Sequence, residues 1–112
     1  MIMKRILAVI PFLLGGAAIG AYAADAKSNW DDNCAKCHGD TGKGDTITGK
    51  KLQIRDFSDA KVQAQFTDDE AFKALKEGLK DQNGKMRMKP VEDMSDEDIT
   101  ALVKYVRGLK PQ

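Results

Sequence analysis

The stretch Cys34-Ala35-Lys36-Cys37-His38 decides how the rest of this 112-residue chain is interpreted. It holds both cysteines and the single histidine of the chain, so every thiol and imidazole lies within five residues. On an α-helix, residues three or four positions apart share one face. Cys34, Cys37 and His38 are therefore expected to form one stripe, with two thiols a turn apart and an imidazole beside the second thiol.

Several kinds of site use a C-x-x-C pair, including a structural disulfide, a thioredoxin-like redox centre and half of a zinc site. Zinc usually takes four ligands, commonly as two separated pairs, and the chain has no second pair. A thioredoxin-like centre needs a βαβ context, which is not visible around residues 34–38. A histidine directly after the second cysteine instead completes the attachment signature of a c-type haem. We therefore predict that Cys34 and Cys37 form thioethers with one haem and that His38 binds its iron.

Residues 1–23 differ in composition from the rest of the chain. A basic start is followed by a largely apolar run over residues 6–19 and by the A-x-A sequence Ala21-Tyr22-Ala23. This pattern predicts a secretory signal peptide cut after residue 23, with an alternative cut after Ala26. An uncleaved membrane anchor is the competing interpretation, but the apolar run is short for a bilayer span. We expect an exported, periplasmic protein whose single domain comprises residues 24–112.

The charge of the predicted mature domain argues against nucleic acid as a partner, and its length suggests that a bound group fills the core. Cleavage would remove Lys4 and Arg5 and no acid, which reduces 18 basic residues to 16 against 17 acidic ones, a net charge of −1. Such a balance argues against nucleic acid as a partner. About 90 residues form only a marginal core from side chains alone, so a covalently bound, apolar macrocycle would supply its centre.

Three helices are predicted, and no stretch shows sustained strand alternation, so the chain is expected to be all-α. The first helix runs from about Ser28 to His38 and is ended by Gly39. The second runs from Thr67 to about Leu79 and begins with a T-x-x-E capping box. The third begins after an N-cap at residue 95, carries an apolar stripe and ends near residue 108.

Residues 39–59 are predicted to be a glycine-bearing loop, because they show neither helical nor strand periodicity. Leu52, Ile54 and Phe57 are isolated apolar residues within this loop. Long loops in compact domains usually have a role, and here these residues would pack against a haem edge or onto a small core.

The sixth ligand of the iron separates two classes of function. A histidine-bound iron with an open position binds gases or reacts with peroxide, whereas an iron closed by methionine mostly transfers electrons. Met94 is explained as one half of a hydrophobic staple with Ile99. Met86 and Met88 lie in a polar segment, residues 84–90, which Pro90 keeps extended. This segment is called the strap below. Either of these two methionines is a candidate ligand, and filling a gap in the core is the alternative role.

In its order of elements, the chain resembles the bacterial class I cytochromes c over nearly all of the predicted mature domain. The matching motifs are Cys34-Ala35-Lys36-Cys37-His38-Gly39, Gly42-Lys43-Gly44-Asp45, Gly84 with Met88, and Ser95-Asp96-Glu97-Asp98-Ile99 leading to Tyr105-Val106-Arg107.

The resemblance implies a cytochrome c fold, in which three to four helices and loops surround one covalent haem c. It assigns the thioethers to Cys34 and Cys37, the proximal iron ligand to His38 and the distal ligand to Met88. It also implies that the first and last helices cross, so that residues 30 and 105 would meet at the crossing.

Two departures from the family pattern concern the iron ligands. Many members have proline directly after the ligand methionine, whereas here Lys89 precedes Pro90, which leaves Met86 as a competitor of Met88. Many members also have Gly-Pro where this chain has Gly49-Lys50. The family uses the carbonyl of that proline to orient the proximal imidazole, and the lysine carbonyl is a candidate for the same role.

The function implied by the resemblance is that of a small monohaem electron carrier rather than an enzyme. Its partners would be redox proteins, and it would be a monomer without stable membrane insertion after signal cleavage. An open-site haem protein and a fixed subunit of a larger oxidoreductase are the alternatives. Seven basic residues near the motif, loop and strap would either surround the haem edge and attract acidic partners or be ordinary solvated side chains; they are Lys36, Lys43, Lys50, Lys51, Lys85, Arg87 and Lys89.

Overall fold

The computed structural model describes residues 19–111, with side chains from residue 25 onward. Residues 1–18 of the predicted signal peptide lie outside the described residues, and its cleavage site stays a prediction. The elements are α1 (Ile19–Asn33), α2 (Ala35–His38), α3 (Ile47–Leu52), α4 (Ala60–Gln63), α5 (Asp68–Glu77), β1 (Leu79–Lys80), β2 (Met86–Met88) and α6 (Asp96–Arg107). Within this described part, no helix combines the length and the apolar character that a membrane span requires.

The helical path that carries the cysteine motif is longer than predicted and is interrupted at Cys34. Its first helix, α1, is helical from Ile19, the first described residue, so Ser28 lies inside the helix and is not its N-cap. The residues before Ser28 are rich in alanine, which has the highest helix propensity, and the helix therefore extends through them. Cys34 separates α1 from α2. Its amide nevertheless donates a hydrogen bond to the Trp30 carbonyl (2.8 Å), and its carbonyl accepts one from the His38 amide (2.9 Å), so hydrogen bonds between residues four positions apart continue through Cys34. As predicted, the path ends at Gly39, whose φ is +85°.

The core lies where α1 and α6 cross. The rings of Trp30 and Tyr105 meet there with centroids 5.6 Å apart, which confirms the predicted crossing. Trp30 and Leu102 are almost fully buried and form one cluster with Cys34. Helix α6 begins as predicted, because Ser95 accepts from the Asp98 amide and the Asp98 side chain accepts from the Ser95 amide.

The segment predicted to be a loop over residues 39–59 contains a short helix, which corrects that prediction, and another follows directly. Thr46 caps α3 by accepting a hydrogen bond from the Gly49 amide, and Asp59 caps α4 by accepting from the Lys61 amide. Helices of six and four residues are too short to produce an apolar stripe, so their sequences show no periodicity.

Helix α5 is followed by a β-hairpin that was not predicted. The capping box of Thr67 and Glu70 is present, but the helix ends at Gly78, whose φ is +81°, and Leu79 therefore belongs to a strand. Leu79 pairs with Met88 and Lys80 with Met86 in antiparallel register, with a bulge that leaves Arg87 without a pairing partner. The fold is mostly helical, as expected, with six helical segments in the described residues instead of three to four and one small hairpin.

A buried polar cluster joins the middle of the chain to α6. The Gln63 side chain is 5% exposed, and its amide donates to the carbonyls of Phe57 (2.7 Å) and Val106 (2.8 Å). The guanidinium of Arg107 donates to the Gln63 main-chain carbonyl and side-chain oxygen, and to the Phe66 carbonyl. Every buried polar group of this cluster has a partner, so the cluster holds residues 57–66 against α6.

Candidate haem-binding site

The two cysteines of the motif lie one turn apart and have different surroundings. Cys34 is buried and Cys37 half-buried, and both thiols are free, so the structure does not support a disulfide between them. Burial raises the pKa of the Cys34 thiol to about 11, with a smaller contribution from the charge of Cys37. Since the thiolate is the nucleophile, the Cys34 thiol is poorly reactive once the chain is folded.

The His38 imidazole lies between aromatic rings. Its ring centroid is 5.4 Å from that of Phe57, with 28° between the ring planes, and 5.7 Å from that of Trp30. Burial lowers the pKa of His38, which favours the neutral imidazole, the form that binds metals. The Nδ1 atom is buried without a hydrogen-bond partner in the described residues. Buried polar atoms normally have a partner, so an unsatisfied ring nitrogen fits a histidine that interacts with a group outside the polypeptide, such as a haem.

The backbone of α2 is fixed by three hydrogen bonds to successive carbonyls. The hydroxyl of Thr46 donates to the Cys37 carbonyl (2.6 Å), and the Gly44 amide donates to the His38 carbonyl (2.7 Å). The Trp30 indole donates to the Gly39 carbonyl (3.2 Å). These bonds satisfy the carbonyls at the end of the short helix and fix the direction in which its side chains point.

Thr46 is a site residue that the sequence analysis missed. Its hydroxyl donates to Cys37 and also accepts from the Gly49 amide (2.8 Å), so one side chain caps α3 and binds it to α2. A threonine three residues before a glycine is a weak signal, because N-caps are recognised mainly by the periodic helix that follows them. The Lys50 carbonyl, a candidate for orienting the imidazole, accepts from the Gln53 amide (3.3 Å), and the described residues show no hydrogen bond to the Nδ1 atom of His38.

The two candidate distal ligands lie on the hairpin, a different element from the motif. Met88 is half-buried, whereas Met86 is 41% exposed. The Met86 sulfur lies 3.0 Å from the position that a Cβ on Gly78 would take, so this thioether packs over the glycine. The Met88 carbonyl lies 2.7 Å from the same position. Gly78 therefore permits the close approach of the strap to the end of α5.

Exposed apolar side chains are concentrated on the segments that follow the motif. Leu52, Leu79 and Met86 are each 40–45% exposed, and Ile47 is 91% exposed. All four belong to α3 or to the hairpin, whereas α1 and α6 bury their large apolar residues against each other. Exposed apolar residues on these segments, in a chain with two free thiols and a neutral imidazole on α2 or directly before it, fit a covalently bound haem. Cys34 and Cys37 would hold its vinyl carbons and His38 its iron, and the haem supplies the one-electron chemistry.

Comparison with known proteins identifies the family. The family model described as cytochrome c matches residues 23–110. The solved structure described as "KustC0563 c-type cytochrome" is 33% identical and has a TM-score of 0.65, with 78% of this chain and 99% of that chain covered. A second structure, a tyrosine-to-phenylalanine mutant of Kustc0563, is 32% identical with a TM-score of 0.61, and the match covers 77% of this chain and 99% of the other. The comparison with curated proteins found no match.

The family match spans almost all of the described residues and includes the cysteine motif, both capping boxes and the hairpin. Both solved structures agree with it in fold and are covered almost completely by this chain. The chain is therefore a member of the cytochrome c family, a small class I type with covalently attached haem c that functions in electron transfer.

Proposed function

We propose that this cytochrome carries single electrons between redox proteins through an iron bound by His38 and Met88. The observation that supports this assignment is the difference between the two methionines of the strap. The Met86 sulfur already packs over Gly78 and its side chain is the more exposed, whereas Met88 is half-buried. Packing over Gly78 therefore accounts for the Met86 side chain, whereas Met88 has the better-shielded position for a thioether ligand.

The protein's contribution to this function is to hold both ligands in place and to exclude water. The neutral His38 imidazole packs against Phe57 and Trp30, and α2 is fixed by the bonds to its carbonyls. Methionine and histidine ligation raises the reduction potential relative to ligation without the thioether. A rigid pair of ligands changes little between the two oxidation states, which favours rapid electron transfer.

The proposed docking surface for redox partners is the set of exposed basic residues around the motif, loop and strap. All seven residues named from the sequence are exposed in the structure. Positive charge near a haem edge would attract partners with acidic surfaces and raise the association rate at low ionic strength. Partner choice would then depend on electrostatic steering rather than on a deep binding pocket.

The test of the proposed ligation compares Met88→Ala with Met86→Ala in the purified, haem-loaded protein. Met88→Ala is expected to remove the sulfur-to-iron charge-transfer band of the oxidised protein, to lower the potential and to open the ferrous iron to carbon monoxide. The potential falls because loss of a neutral, soft thioether favours the ferric state. Met86→Ala is the matched control and should leave all three properties nearly unchanged.

The reverse result would make Met86 the ligand and preserve the electron-carrier function. An unchanged spectrum in both variants, together with rapid carbon monoxide binding by the wild type, would instead indicate an open iron site. The protein would then be a gas-binding or peroxide-reacting haem protein.

We further propose that the protein is exported to the periplasm after cleavage of residues 1–23. The support is the basic, apolar and A-x-A order of that segment. N-terminal sequencing of protein isolated from cells is expected to return Ala24, or Lys27 if the alternative site is used. Recovery of an intact Met1 would contradict cleavage.

A further inference from the structure

The strap that carries Met88 is bound to the loop after the cysteine motif by one side chain. The Arg87 guanidinium donates through Nη2 to the main-chain carbonyl of Leu52, with 2.8 Å between donor and acceptor. These residues are 35 positions apart in the sequence. Leu52 is the last residue of α3, where carbonyls lack partners within the helix and the helix dipole is negative. A guanidinium is well suited to this position because it supplies both a donor and a positive charge.

The bulge in β2 explains why Arg87 is available for this contact. Leu79 pairs with Met88 and Lys80 with Met86, so Arg87 lies between two paired residues and pairs with neither. A bulge of this kind redirects the side chain of the extra residue. Arg87 is therefore directed away from the ladder while the methionines on either side remain in it.

Helix α3, which receives the Arg87 contact, is itself bound to the helix that carries His38. Thr46 at its N-terminus donates to the Cys37 carbonyl, and Gly49 within it lies against the same carbonyl. A continuous set of contacts thus leads from the Met88 strand through Arg87 and α3 to α2. The two segments that carry the proposed iron ligands are linked through one six-residue helix.

We propose that Arg87 is a positioning residue that holds the Met88 strand against α3 and so keeps the methionine on the iron. This inference rests on the proposed ligation by Met88. Arg87 touches neither haem nor iron in this role; it acts through the strand on which Met88 lies. Without it, the strap should open more often, and an external ligand should replace the thioether more readily.

The experiment measures imidazole binding to the ferric, haem-loaded protein for wild type, Arg87→Ala, Arg87→Lys and Lys89→Ala. Lys89→Ala is the matched control, because Lys89, like Arg87, is exposed, adjoins Met88 and carries a positive charge. Unlike Arg87, its side chain makes no hydrogen bond in the described residues. Arg87→Ala is expected to increase the apparent imidazole affinity about three- to tenfold, the effect of losing one charge-assisted hydrogen bond at an exposed site. Arg87→Lys should restore most of the difference, and Lys89→Ala should match the wild type.

A second measurement separates opening of the strap from general destabilisation. Amide hydrogen exchange should accelerate in residues 86–88 of Arg87→Ala, while its denaturation midpoint stays close to that of Lys89→Ala. Equal imidazole affinities in Arg87→Ala and the wild type would overturn the inference, and so would an equal increase in Arg87→Ala and Lys89→Ala.

The experiments distinguish failure of the proposed Met88 ligation from failure of the proposed role of Arg87. A charge-transfer band that persists in Met88→Ala would show that Met88 is not the ligand, and the inference about Arg87 would be overturned with it. If the charge-transfer band depends on Met88 but Arg87→Ala leaves the imidazole affinity unchanged, only the inference about Arg87 would be overturned.

Discussion

At the residue scale, the site depends on two small contacts that hold α3 against the motif. Gly49 lies where a Cβ would be 2.7 Å from the Cys37 carbonyl oxygen and would also meet the Gly44 carbonyl oxygen. Thr46 binds the same Cys37 carbonyl through its hydroxyl. The Cys37 carbonyl is therefore approached by the hydroxyl of Thr46 as a hydrogen-bond donor and by Gly49, a residue that must lack a side chain.

Gly49→Ala is expected to destabilise the haem-loaded protein by about 1–3 kcal/mol, the usual cost of overpacking. Alanine has a helix propensity better than that of glycine by about 1 kcal/mol, but the overlap with backbone oxygens is larger and cannot be relieved by a side-chain rotation. Denaturant unfolding followed by circular dichroism measures the difference.

Gly108→Ala is the control for that change. Its added Cβ would meet its nearest atom at 3.4 Å and its φ is −77°, so no cost from overlap or strain is expected. Equal stability of the Gly49→Ala variant and the wild type would mean that α3 does not pack tightly on α2.

At the scale of elements, the sequence predicted those boundaries that are encoded by neighbouring residues. The capping boxes at Thr67 and Ser95 were found because both partners lie within four positions of each other. The end of the motif helix at Gly39 was found for the same reason. The positive φ of Gly78 was not anticipated, so the end of α5 was placed at residue 79.

Elements that depend on distant contacts were missed. Helix α3 is held by Thr46 on Cys37 and by Arg87 on Leu52, and neither contact leaves a periodic pattern in the sequence. Strands of two and three residues are likewise too short for alternation to be visible. The motif residues of the site were predictable because they are consecutive. Thr46 and Arg87, which join α3 to the motif helix and to the hairpin, make their contacts across the fold and were not predictable.

At the scale of the whole molecule, the polypeptide buries little apolar surface away from the helix crossing. Among residues 25–111, the buried hydrophobic side chains all come from α1, α6 or the residue that follows α1: Ala26, Trp30, Cys34, Ile99, Leu102 and Val103. The middle of the chain, from α3 to the hairpin, contains no fully buried large apolar residue. It is joined to α6 by the polar cluster of Gln63 and Arg107. Phe57 and Leu75 pack, partly buried, against the core at the helix crossing, whereas four large apolar residues of α3 and the hairpin are exposed. We therefore expect the haem to complete the core of this segment.

The double variant Cys37→Ser with His38→Ala is expected to yield a haem-free chain that does not fold cooperatively. Without one thioether and the proximal ligand, haem should not be retained, and the apolar residues of α3 and the hairpin would have nothing to pack against. A side-chain core of this size rarely stabilises a domain of about 90 residues by itself. Thermal unfolding followed by circular dichroism should give a broad, non-sigmoidal change in the double variant.

Met88→Ala keeps both thioethers and His38, so it should retain the haem and a sigmoidal transition. A sigmoidal transition in the double variant, with absorption confirming that it contains no haem, would show that the polypeptide core is sufficient without the haem.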